Sequence, residues 1–181
     1  MYSHAVIIGG TGMLRAASIQ LAGQSRQLTS VAHTRQSLNA LDGALPEGHG
    51  AHHRLTLDWS EPEAFIKAIT QHLESTEQPD LVVAWVHNTQ LGVRLAASLG
   101  KRNVQFFHVI GSAAANPAKV AAQARGCAQL PRTVAYHQVI LGAVRQGAGM
   151  RWLTNSEISG GVLAAIHAQQ ARFVVGTLDH T

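Results

Sequence analysis

The tightest constraint on this chain is near its start. The aliphatic run Val6-Ile7-Ile8 meets Gly9-Gly10-Thr11-Gly12, and Met13-Leu14-Arg15 then opens a segment with apolar residues at helical spacing. A buried strand that enters a glycine-rich turn and leaves it as a helix has few structural homes. Glycines permit the tight turn, and their bare backbone lets a pyrophosphate approach the N–H groups at the helix N-terminus. The expected phosphate cradle is therefore Gly9, Gly10, Thr11, Gly12, Met13 and Leu14. A Walker-type loop is excluded, because no Gly-Lys-Ser/Thr follows. One position departs from the usual pattern. Counted as G-x-G-x-x-G from Gly10, or as G-x-x-G-x-x-G from Gly9, the third glycine falls on Arg15. That residue either loosens the packing of helix on strand or points at the phosphates.

Downstream, short apolar runs keep alternating with longer amphipathic segments. Strands are predicted at Ala5–Ile8, Leu28–Ala32, His53–Leu57, Leu81–Val86, Gln105–Ile110, Met150–Leu153 and Arg172–Val175. This is the signature of a βαβ series: an α/β fold with a doubly wound parallel sheet of about seven strands in three layers, helices on both faces. Ser60-Glu61-Pro62-Glu63 and Thr154-Asn155-Ser156-Glu157 both have capping-box spacing. They should open helices through about Leu73 and over Ile158–Ala168. A further helix is expected over Thr133–Gln146. Ala113–Pro131 reads as a loop, or as a short helix between Pro117 and Arg125. Pro46–His53 reads as a surface connection. With no repeat or linker, residues 1–181 read as one nucleotide-binding domain.

Composition narrows the classes. Charged residues are 13% of the 181, against roughly 25% in typical soluble proteins, which suits a sheet covered on both faces and not a disordered chain. Net charge is +4, and Lys101-Arg102 is the only adjacent pair of cations, so no nucleic-acid stripe is expected. The apolar runs fall far short of the ~20 residues that span a bilayer. The single Cys127 suits a reducing compartment. A cytoplasmic protein without membrane or nucleic-acid partners is the expectation.

The end of the second predicted strand bears on the choice of dinucleotide. An NAD-preferring fold places a carboxylate there for the ribose hydroxyls. Val31-Ala32-His33-Thr34-Arg35 has none. Arg35 instead offers a planar guanidinium to a 2′-phosphate and Thr34 a hydroxyl, which favours NADP(H) over NAD(H). After the third strand, Asp58 is placed to accept from the adenine amino group, with Trp59 filling core. Trp85 and Trp152 read as core or interface residues.

Together, Gly9-Gly10-Thr11-Gly12, Leu57-Asp58, the run Asp80 to His87 and the run Phe106 to Ser112 resemble the short-chain dehydrogenase/reductase superfamily, nearer its extended and atypical branches. Arg151 to Ser159 looks like small bacterial members of that family. The resemblance covers most of the chain. It implies a Rossmann-type fold and hydride transfer between a nicotinamide and a carbonyl, alcohol, imine or alkene. It also implies a Ser that bonds the substrate oxygen, a Tyr as acid/base and a Lys four residues after it. Ser112 and Tyr136 fall at the matching places, but Ile140 stands where the lysine belongs. Unassisted, a tyrosine of pKa ~10 is a poor acid at neutral pH. His87, at a strand's end, is the alternative proton carrier; His108, within a strand, reads as a satisfied core histidine.

The leading expectation is an NADP(H)-dependent oxidoreductase acting on a small substrate through Ser112, Tyr136 and His87. The low charge leaves room for a subunit interface, so a homo-oligomer (dimer or tetramer) is expected. The alternative is a dinucleotide-binding protein without turnover, redox-sensing or partner-binding, which the missing lysine and Arg15 favour. A methyltransferase would need an acidic residue after the second strand. No metal site is expected, since no carboxylate or cysteine adjoins His49, His52 and His53 in sequence. The length leaves little beyond the nucleotide sheet. A substrate pocket must then come from Ala113–Pro131, the C-terminus or a second subunit.

Overall fold

Strand β1 (Tyr2–Ile8) sets the layout, because its two faces bury against different helical layers. The structure is a computed structural model that describes residues 1–100, 103–111, 117–127, 129–147 and 149–178, with the backbone alone for 117–118 and 125–127. After β1 come α1 (Arg15–Ala22), β2 (Ser25–Ala32), α2 (Arg35–Asp42), β3 (Ala51–Thr56), α3 (Pro62–Glu74), β4 (Leu81–Trp85) and α4 (Thr89–Ser98). Then follow β5 (Val104–Ile110), α5 (Pro117–Cys127), β6 (Val134–Leu141), β7 (Ala143–Gln146), β8 (Gly149–Trp152), α6 (Asn155–Ala168) and β9 (Arg172–Val175). Seven strands form one parallel sheet in the order β3-β2-β1-β4-β5-β6-β9. This is the doubly wound, Rossmann-like α/β fold.

Ala5 and Ile7 pack with Leu14 and Leu21 of the α1 side and with Ile158 and Val162 of α6. Val6 and Ile8 pack with Phe65 and Ile69 of α3 and with Leu91 and Leu95 of α4. Both faces of the central strands are therefore covered, which is why their sequences read as continuous apolar runs and not as alternation.

Two expectations are corrected. Thr133–Gln146 is not a helix: its first part is β6, which pairs with β5 and β9. The β-branched and aliphatic run Val139-Ile140-Leu141 is buried between two neighbouring strands, which favours extended backbone. Met150–Leu153 does not enter the main sheet; β8 pairs antiparallel with β7 in a separate hairpin.

The two capping boxes also part ways. At α6 the Thr154 hydroxyl accepts from the Glu157 N–H and the Glu157 carboxylate accepts from the Thr154 N–H. Helix α3 starts at Pro62 with no side-chain cap. Nor are His52 and His53 in a solvated loop, because both lie on β3. The His52 ring is bonded to Asp42 at 2.6 Å and to Ser30 at 3.0 Å, so a carboxylate distant in sequence does adjoin it. No described helix is long and apolar enough to cross a membrane.

Candidate functional site

All seven parallel strands end on one edge, and the order reverses between β1 and β4. Such a reversal splays the following loops apart and leaves a crevice where ligands bind. The glycine turn after β1 lies there. Gly9 adopts φ +74°, and a Cβ on it would stand 2.6 Å from the Trp85 carbonyl oxygen. Its N–H donates to the Val31 carbonyl at 3.0 Å, closing β1 onto β2. A Cβ on Gly10 would collide with Ser18 Oγ and stand 2.7 Å from Ile7 Cγ2. The Ser18 hydroxyl donates to the Gly10 carbonyl at 2.8 Å. These two glycines are demanded by the packing of the fold. Gly12 is different: a Cβ there would meet nothing within 4 Å. The space over Gly12 is open, at the helix N-terminus where an anion would approach.

The turn is held from a distance. The Ser159 hydroxyl of α6 donates to the Met13 carbonyl at 2.9 Å, a contact that spacing alone does not reveal. Met13 is 37% exposed beside the open space, whereas the Leu14 side chain is fully buried in the core. Leu14 can therefore offer the turn only its backbone, as the cradle reading requires. Arg15 turns toward α2. Its guanidinium donates to the Ala40 carbonyl at 3.1 Å, bridging α1 to α2.

At the end of β2 the Thr34 hydroxyl caps α2, accepting from the Ser37 N–H at 3.2 Å. Arg35, the first residue of α2, is exposed, and its guanidinium makes no hydrogen bond or ion pair among the described residues. The Asp58 carboxylate accepts from the Ser60 N–H at 2.8 Å, which holds its pKa below the ordinary value. The ring of His33 lies 3.5 Å from that of Trp59, which in turn stands edge-on to Phe65. Trp59 is half-buried against the core, as expected of it.

Beside the turn a cavity of about 690 Å³ opens on the same edge of the sheet. Met13, Trp85, His87, Thr89, Gly111, Val120, Leu141, Gly142, Trp152, Leu153 and Ile158 line it. Its walls thus come from the segment after β5 and from the C-terminal hairpin and α6, two of the three sources expected. Trp152 is 58% exposed and is no core residue. Arg151 beside it donates to both carboxylate oxygens of Glu157 at 2.7 Å. That guanidinium, with the Thr154 N–H, holds the Glu157 carboxyl well below the usual range, to about 2. The hairpin's other strand is tied at the same open end, where Ala143, the partner of Trp152, also pairs with Thr177.

His87 lines the cavity and is exposed. Ser112 lies outside the described residues; Gly111 before it lines the cavity. Tyr136 is corrected. It is the third residue of β6, toward the strand's N-terminal end and about 16 Å of chain from the ligand edge. Its ring stacks near Phe106, and its hydroxyl bonds His108 Nδ1 at 2.6 Å. The helix after β5 is α5, and its sequence has no tyrosine. His108 is fully buried, but it is not satisfied, since Nε2 has no partner. Burial lowers its pKa to about 4. Only Gly92 leaves room for that ring under α4, because a Cβ there would overlap Nε2. Sequence reasoning also missed Leu141 and Gly142, whose signal was a glycine closing an apolar run.

No family model matches the chain, and no curated protein is similar to it in sequence. Solved structures do match in fold. A short-chain dehydrogenase from Sphingobium yanoikuyae in complex with NADPH has a TM-score of 0.73 at 15% identity, over 95% of this chain and 87% of that one. A metagenomic short-chain oxidoreductase in complex with NADP has a TM-score of 0.63 at 16% identity, over 98% and 96%. Carveol dehydrogenase from Mycobacterium avium in complex with NAD has a TM-score of 0.65 at 14% identity, over 97% of each chain.

Proposed function

We propose that this chain binds NADP(H) in the crevice between β1 and β4 and acts as an oxidoreductase of the short-chain dehydrogenase/reductase type on a small organic substrate. The observation that carries the reading is the contrast within the glycine turn: Gly9 and Gly10 serve the fold, and Gly12 leaves open space beside the cavity. The residues suit a dinucleotide. Backbone N–H groups from Gly10 to Met13 would hold the pyrophosphate, with Thr11 adding a hydroxyl. The untied Arg35 would take the 2′-phosphate, and Asp58 the adenine edge. When bound, the cofactor supplies the hydride donor or acceptor for the redox step. The chain's own part is to orient the substrate in a largely apolar cavity, exclude water from it, and exchange a proton with the substrate oxygen. His87 is the described residue placed for that exchange, with Ser112 as hydrogen-bond partner of the same oxygen. Binding without turnover is the second reading, favoured by the removal of Tyr136 to the far part of β6.

Fluorescence titration with NADPH and NADH tests the first claim. NADPH should bind at least about tenfold more tightly, and Arg35→Ala should abolish that preference. Equal affinities in the unaltered protein would overturn the choice of cofactor. Turnover with a carbonyl substrate that is lost in both His87→Ala and Ser112→Ala supports the enzyme. Binding of NADPH with no oxidation by any carbonyl tried supports the second reading.

A further inference from the structure

We propose that the cavity beside the glycine turn takes an uncharged, planar aromatic compound, and that the Trp152 indole is the wall against which it lies. The inference rests on the cofactor reading only for the reacting end of the cavity.

Three observations carry it. First, the surroundings are apolar. Met13, Trp85, Leu141 and Leu153 face the space, and among the described lining residues only His87 and Thr89 bring polar side chains. Second, no Lys, Arg, Asp or Glu is among the described lining residues. Arg151, next to Trp152 in sequence, is fully engaged by both oxygens of Glu157. A carboxylate or phosphate entering here would lose its water and gain no opposite charge from these described walls, which disfavours charged substrates. Third, Trp152 is a large apolar side chain left 58% exposed on the cavity's rim. Isolated two-stranded hairpins are marginal in water, yet both strands of this one are anchored at the open end that carries Trp152, β8 by Arg151, Glu157 and Thr154 and β7 by the pairing of Ala143 with Thr177. The indole is thus presented by a braced support. A flat ring laid on it covers apolar surface at little cost in side-chain freedom. About 690 Å³ lies within the roughly 300–1,000 Å³ of small-molecule sites.

The test uses prodan, an uncharged planar naphthyl ketone whose emission shifts to the blue on leaving water, with 2-naphthoate as its charged counterpart. Prodan should bind saturably with a blue shift. Its Kd should rise about tenfold in Trp152→Ala and recover in Trp152→Phe, while 2-naphthoate fails to compete. Thermal unfolding of each variant establishes that it is folded. Absence of saturable prodan binding, an unchanged Kd in folded Trp152→Ala, or equal competition by 2-naphthoate would each overturn the proposal. NADPH titration of the same samples separates the two readings. If NADPH binds and prodan does not, this inference falls and the cofactor reading stands; if prodan alone binds, the reverse holds.

Discussion

The turn after β1 and the segment from β6 through the hairpin both border the same crevice, yet they are built on opposite principles. The turn is made by backbone sterics. Gly9 and Gly10 are required because carbonyl and side-chain atoms occupy the places where a Cβ would go. The later segment is made by convergence of side chains. Its cavity wall needs Arg151 to find Glu157, Thr154 to cap α6, and Ser159 to reach back to Met13 across 146 residues of sequence. Steric demands leave a signature in residue type, whether the obstructing atom is near in sequence, as Ile7 is to Gly10, or far, as Trp85 is to Gly9. Convergent contacts form only once the sheet has brought the segments together.

The comparison is most sharply tested within the glycine turn. Gly9→Ala puts a Cβ against the Trp85 carbonyl at φ +74° and should cost about 2–4 kcal/mol. Gly12→Ala should change stability by less than about 1 kcal/mol and instead weaken NADPH binding. Urea unfolding with parallel NADPH titration checks both, and equal stability losses would erase the distinction between a fold glycine and a ligand glycine.

On the other side of the comparison, β5 and β6 hold a buried His108 against a half-buried Tyr136, where the sequence suggested an acid catalyst. A base whose folded pKa is depressed binds its proton better in the unfolded chain. Stability is therefore present above the unfolded value of 6.5 and lost as pH falls toward about 4. The loss should approach about 3 kcal/mol from this group. His4 and His72, also lowered by burial, act in the same direction. A double variant, His108→Leu with Tyr136→Phe, should flatten the stability profile over that interval. A profile of undiminished slope would place the acid sensitivity elsewhere.

The two capping boxes give a smaller contrast. Thr154→Ala should cost about 1 kcal/mol and loosen the hairpin support, whereas Ser60→Ala, which removes no helix cap, should fall within about 0.5 kcal/mol. Similar losses at both sites would contradict the difference seen at the helix starts. Smallest is Gln169→Gly. Gln169 ends α6 in the left-handed region at φ 49°, so glycine there should raise stability by about 0.5 kcal/mol, measurable as a shift in the urea midpoint.

Much of the architecture was legible. Strands at Val6, Leu28, Leu81 and Phe106, the helix after Pro62 and the capped start of α6 all announce themselves through apolar runs, proline placement or capping spacing. Thr133–Gln146 misled because Tyr136 was assigned by family position, whereas Val139-Ile140-Leu141 carried a strand's composition. Met150–Trp152 has strand-like residues, but nothing in its composition says which partner it pairs with. At the site, glycine identity pointed to the turn, and Arg35 emerged exposed and untied. The core place of His108 was legible too, but its unpartnered Nε2, the exposure of Trp152 at the cavity, the bond from Ser159 to the turn and the engagement of Thr34 and Asp58 by neighbouring N–H groups were not.

By itself, then, the sequence determined the alternation of elements, the layered sheet and the place of the glycine turn, because these follow from burial patterns and from the tight passage of a strand into a helix. The tertiary structure alone decided which of those glycines faces open space, that His108 pairs with Tyr136 and keeps an unpartnered Nε2, and that Trp152 stands on the rim of a cavity. Those outcomes depend on where strands distant in sequence end relative to one another, and that distance is set only when the sheet assembles.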